Sequence, residues 1–132
     1  MAVVLDTHAA IWYLTASSNL SSDALQAIQD SLTAADPVYL PSICIVEVIF
    51  LVEKKRIPAE ALERLLAALA DADSALRIAP LDLNVAMALA RVPREALPDM
   101  PDRIIAATAL HLDVPVVTRD QRMRASSIKT VW

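Results

Sequence analysis

The chain has 132 residues, 56% of them hydrophobic and 21% charged, with a formal net charge of −4 and a single cysteine. That composition supplies one buried core, excludes an internal disulfide and argues against a broad basic footprint for nucleic acid. There is no glycine at all, which excludes a glycine-rich phosphate loop and, with it, P-loop and dinucleotide-binding readings.

Ala2 to Leu5 are all apolar, with two valines, and so short an unbroken run reads as a strand buried on both faces. Asp6 follows at its C-terminal end. Open α/β sheets form their ligand sites outside the carboxyl ends of strands, so Asp6 is a candidate site residue. Helix capping is the competing reading, and Thr7 also has the chemistry to cap the next helix. A helix over Thr7 to Leu14 carries Ile11, Trp12 and Leu14. A second helix, about Ser22 to Ala34, has Leu25, Ile28 and Leu32 at helical spacing and ends at Asp36-Pro37. Val38 to Leu40 reads as a strand closed by Pro41, and Ser42 as the cap of a helix from Ile43 to about Lys55.

Pro58 opens a helix with an apolar stripe of Leu62, Leu65, Leu66 and Leu69. Leu76 to Ala79 is a further strand, and Asp82 caps a helix through Ala90. Pro93, Pro98 and Pro101 break the chain into a loop before an alanine-rich helix from Asp102 to Leu112. Val114 to Thr118 is another apolar strand, Asp120 starts a short basic helix, and Ile128 to Trp132 closes the chain as an edge strand. Strands alternating with helices imply βαβ units and a parallel sheet with helices on both faces, within one domain spanning residues 1–132. The longest apolar stretch, Ile43 to Val52, is interrupted by Glu47 and is too short to cross a bilayer. The first residues lack the basic region and cleavage pattern of a signal peptide, so a cytoplasmic location is expected.

Four carboxylates stand out by position. Asp6 ends the first strand, Glu47 sits among nine apolar neighbours, Asp102 starts a helix after Pro101, and Asp120 follows the late strand. In a parallel sheet these places share one rim. Glu47 is expected to be at least partly buried, where an unpaired carboxylate is costly unless a cation joins it. A salt bridge to Lys54 or Arg103 is the plainer alternative. Clustered carboxylates repel, and oxygen donors alone favour Mg²⁺ or Mn²⁺, the ions of phosphoryl chemistry. Cys44, His8 and His111 show no zinc-ligand spacing, and His8 reads more readily as a structural residue than as one facing the rim from the first helical turn. Arg119, Arg122 and Arg124 bracket Asp120 and Arg103 adjoins Asp102, where a polyanion's phosphates would need neutralising.

Val4-Leu5-Asp6-Thr7-His8, the embedded Glu47, Asp99 to Ala109 and Val116 to Asp120 together resemble the PIN-domain pattern, and more narrowly the VapC toxins of toxin–antitoxin pairs. The likeness covers nearly the whole chain in order, and Ile128 to Trp132 resembles one VapC-like subgroup. It implies a PIN-like α/β/α sandwich with a short, mostly parallel sheet, and an Mg²⁺- or Mn²⁺-dependent endoribonuclease. Asp6, Glu47, Asp102 and Asp120 match the family's acidic site, Asp99 a further acid before it, and Thr7 and Thr118 hydroxyl positions beside it. An RNA substrate, a VapB-like antitoxin covering the site and a homodimer are implied as well. Two departures are visible: Asp99-Met100 stands where the family has Asp-Pro, and no glycine follows the Glu47 helix. A haloacid-dehalogenase-like phosphatase would want an acid where His8 stands, and a receiver domain a lysine where Arg119 stands. The non-enzymatic alternative is a PIN-fold module that only binds RNA or protein.

Overall fold

Five short strands, β1 (Val3–Leu5), β2 (Val38–Pro41), β3 (Leu76–Ala79), β4 (Val116–Val117) and β5 (Thr130–Val131), pair side by side in the computed structural model, which describes residues 1–132. Their order is β3-β2-β1-β4-β5 and every pairing is parallel. Helices α1 (Thr7–Leu14), α2 (Ser22–Thr33), α3 (Ser42–Glu53), α4 (Ala59–Ala70), α5 (Leu83–Ala88), α6 (Met100–Leu112) and α7 (Gln121–Ala125) supply the connections. β1 lies in the middle and all three of its residues are buried, as a strand covered on both faces requires. Val4, Leu5, Leu40, Ile105, Ala106, Ala107, Val116 and Val117 belong to one continuous core. The alanines of α6 let that helix lie close to the sheet.

Strands β2 and β3 step away from β1 on one side, and β4 and β5 on the other. The connections after β1 and β4 therefore leave in opposite directions and open a crevice at the carboxyl end of the sheet. Asp6 follows β1 and Thr118 follows β4 at that crevice.

With no glycine available, four helices end on other residues in the left-handed region: Ala16 (φ 51°), Ala35 (φ 57°), Lys55 (φ 57°) and Asp113 (φ 56°). Each end is closed by a long and a short backbone bond, as at α3, where Arg56 N–H donates to Leu51 and Lys55 N–H to Val52.

Several sequence-based expectations shift. β1 starts at Val3 and β4 is confined to Val116–Val117, because the Val114 N–H is taken by Ala109 at the end of α6. Ser42 does not cap α3; it lies inside the helix, and its hydroxyl accepts from Leu81 N–H at 3.0 Å. The buried face of α2 is Ala24, Ile28 and Ser31, which leaves Leu25 and Leu32 partly exposed. Small residues win that face because they admit close approach to the sheet, and Ser31 bonds Met1 and Ala27 carbonyls. In α4, Ala61 and Leu65 are buried and Leu66 is exposed. No helix of the chain is long and apolar enough to cross a membrane.

Candidate active site

Asp6 has an extended backbone immediately after β1, and its side chain caps α1 by accepting from Ala9 N–H at 2.8 Å. Thr7 is therefore not the cap. Its hydroxyl instead donates to Glu47 Oε1 at 2.6 Å, tying α1 to α3. The capping and functional readings of Asp6 are compatible, because one oxygen caps while the other accepts from the Thr118 hydroxyl. That hydroxyl also accepts from Asp120 N–H at 3.0 Å. Thr118 is fully buried and thus couples the two carboxylate positions across the crevice. Asp120 in turn caps α7, accepting from Met123 N–H at 2.9 Å.

A cavity of about 400 Å³ opens here, and Asp6, Glu47, Asp102 and Asp120 all line it. They reach it from β1, α3, α6 and the turn after β4, far apart in the chain. None of the four is in an ion pair, since the one ion pair joins the Met1 ammonium to Asp36; Arg119 lines the same cavity without pairing with any of them. The expected alternative for Glu47, a bridge to Lys54 or Arg103, does not form. Lys54 lies over the Phe50 ring, and Arg103 donates to the carbonyls of Val92 and Leu89. Arg103 thus pins the loop before α6 and its guanidinium is spent there.

The electrostatics reflect this crowding. Burial, and then the negative charges of Asp120, Glu47, Asp99 and Asp6, push the Asp102 carboxyl up to about 6. Burial also raises Asp6, against the lowering effect of its bonds from Thr118 and Ala9. Burial raises the Cys44 thiol, whose sulfur faces the Leu5 carbonyl at 3.9 Å, so the only soft donor nearby stays protonated. As the side chains stand, no three His, Cys, Asp or Glu groups meet in a ready-made ion cage. Asp6, Glu47 and Asp120 each give at least one oxygen to a protein donor.

Residues 3–128 match the PIN domain family. The chain belongs to that family. It is 33% identical over 134 residues to Ribonuclease VapC22 of Mycobacterium tuberculosis (strain ATCC 25618 / H37Rv), with 98% of each chain covered. Among solved structures, VapBC2 from Rickettsia felis, bound to a DNA fragment from their promoter, shares the fold with a TM-score of 0.70. Its identity is 14%, over 98% of this chain and 97% of that one. FitAcB from Neisseria gonorrhoeae is similar with a TM-score of 0.62 and 26% identity, over 97% and 95% of the two chains.

Within this PIN domain the remaining expected residues separate. Asp99 is exposed, does not line the cavity and makes no side-chain cap, although its charge bears on Asp102. Arg122 and Arg124 are exposed on α7 outside the cavity, and Arg119 lines it. His8, weighed from sequence between a structural role and a place facing the rim, lines the cavity, and so does Trp12, which the sequence placed only on α1. Their spacing of four residues on α1, directly after Asp6, places them on one helix face and is the signal that could have found them.

Proposed function

We propose that this PIN domain is a divalent-metal-dependent endoribonuclease that hydrolyses RNA phosphodiester bonds, acting as the toxin of a VapBC-type pair. The observation that carries the reading is the convergence of Asp6, Glu47, Asp102 and Asp120 on one cavity, with no ion pair to any of them. Four buried or half-buried carboxylates that repel one another are a poor way to stabilise a fold and a good way to bind Mg²⁺ or Mn²⁺. The donor set fits such an ion: all oxygen, net negative, with the lone thiol turned away. The likeness to a named ribonuclease along the whole chain supports the same reading.

Asp6, Glu47, Asp102 and Asp120 would hold the ion. When bound, it supplies positive charge for the phosphate oxygens and acidifies water for hydrolysis. The chain's own residues prepare this. Thr118 and Ala9 N–H orient Asp6, Thr7 orients Glu47, and Met123 N–H orients Asp120. Arg119 at the cavity, with Arg122 and Arg124 beyond it, offers positive charge to the RNA backbone around a negative centre. The same reading includes a VapB-like antitoxin that covers the cavity and a homodimer, both implied by the family resemblance.

The test is cleavage of end-labelled RNA by the purified chain. Mg²⁺ or Mn²⁺ is expected to support cutting, a chelator to abolish it, and Asp6→Asn to lower the rate at least about a hundredfold. Undiminished cleavage in Asp6→Asn or in chelator would show that these carboxylates do not do the cutting, and no cleavage by the wild type with either ion would favour the binding-module alternative.

A further inference from the structure

Three residues besides the four carboxylates and Thr7 line the acidic cavity: His8, Trp12 and Arg119. The His8 and Trp12 rings lie 5.4 Å apart, tilted by 46°. The Arg119 guanidinium carbon sits 4.5 Å from the centre of the Trp12 ring. On its other flank Trp12 meets Trp132, the residue after β5, with centroids 5.8 Å apart. The indole is thereby held between two distant segments and is half-buried, while His8 and Arg119 are exposed. Together they form one wall of π faces and a guanidinium at the lip of the cavity.

Packing accounts for Trp12 and Trp132, which join α1 to the edge of the sheet. It does not account for an exposed imidazole and an exposed guanidinium turned to the cavity, since such a surface cation–π contact adds little stability. Their chemistry suits a flat, polarisable partner. Nucleobases stack on aromatic rings and on arginine planes, and only unpaired bases have a face free to do so. A phosphodiester brought to the four carboxylates carries its neighbouring nucleotides to this wall.

We propose that the His8–Trp12–Arg119 wall receives one unpaired nucleobase beside the phosphodiester held at the carboxylates. The proposal rests on the ribonuclease reading above and adds a determinant of substrate choice to it.

Trp12 of the wall and Trp132 packed against it are the only tryptophans in the chain, so tryptophan fluorescence reports on the wall. Binding is measured with the full chain carrying Asp102→Asn, in Mg²⁺, against short single-stranded oligoribonucleotides that each lack the base at one successive position. The expected result is fluorescence quenching on binding, and one position at which loss of the base weakens binding roughly tenfold or more. The matching duplex binds weakly. Arg119→Lys keeps the charge and loses the plane, and with His8→Ala it is expected to erase the penalty at that position while helical content is unchanged. An undiminished penalty in both variants, no position dependence, or equal binding of duplex would overturn the proposal. The ribonuclease reading fails separately: the wild-type chain would leave every strand intact in Mg²⁺ and Mn²⁺ even where the base-dependent binding is seen.

Discussion

Asp102 carries the clearest sign of what the cavity does to its residues. Its carboxyl is raised to about 6, first by burial and then by four neighbouring carboxylates. A folded-state value above the unfolded one means that folding favours the protonated form, so stability is lost as pH rises from about 4 through 6. In chelator, Asp102→Asn is therefore expected to stabilise the chain by about 1 kcal/mol at pH 7.5, after allowance for the group's partial exposure, and by nothing near pH 4. Urea unfolding at the two pH values checks this. Thr118 works in the opposite sense. Its buried hydroxyl donates to Asp6 and accepts from Asp120 N–H, and Thr118→Val removes both bonds. We expect a loss of about 1–3 kcal/mol in the same unfolding assay, largely recovered by Thr118→Ser. At this scale Glu47 was legible because nine apolar neighbours made its burial expensive. The bond that Thr7 makes to Glu47 was not, because the two lie 40 positions apart on different helices.

The helices show what a chain without glycine must tolerate. Lys55 ends α3 in the left-handed region, where a β-carbon is strained and glycine is favoured. Lys55→Gly is expected to stabilise by about 0.5–1 kcal/mol, read from the denaturation midpoint, with metal affinity unchanged. Lys55 lies in the stretch Lys54 to Ile57, where the family resemblance leads one to expect a glycine and none stands. Element types and order were readable from apolar periodicity and proline, because those signals are local. The buried face of α2 was not, since Leu25 and Leu32 follow the helical spacing but Ala24 and Ser31 hold the contact with the sheet. Size at a crowded interface overrode hydrophobicity, and that depends on the neighbour rather than on the helix itself.

Across the whole molecule, the strand order places the departure of the chain between β1 and β4, and so decides where the carboxylates meet. The rim itself was legible once strands and helices were assigned, because parallel connection leaves few other arrangements. The division of labour among the four arginines near the carboxylates was not: Arg103 is bound to carbonyls, Arg119 lies on Trp12, and Arg122 and Arg124 stand free on the outer surface of α7. Replacing Arg122 and Arg124 by alanine is expected to lower the salt slope of single-stranded RNA binding by about 0.7 for each phosphate that is no longer neutralised. An unchanged slope would remove them from the RNA path. The claim on which the reading depends is that four separated segments supply one cation site. Calorimetric titration of Mn²⁺ into the wild-type chain and into Asp6→Asn, Glu47→Gln, Asp102→Asn and Asp120→Asn tests it most directly. The account predicts binding by the wild type that each of the four substitutions weakens and that Asp36→Asn, outside the cavity, leaves alone. Affinity indifferent to the four, or equally sensitive to Asp36, would contradict it.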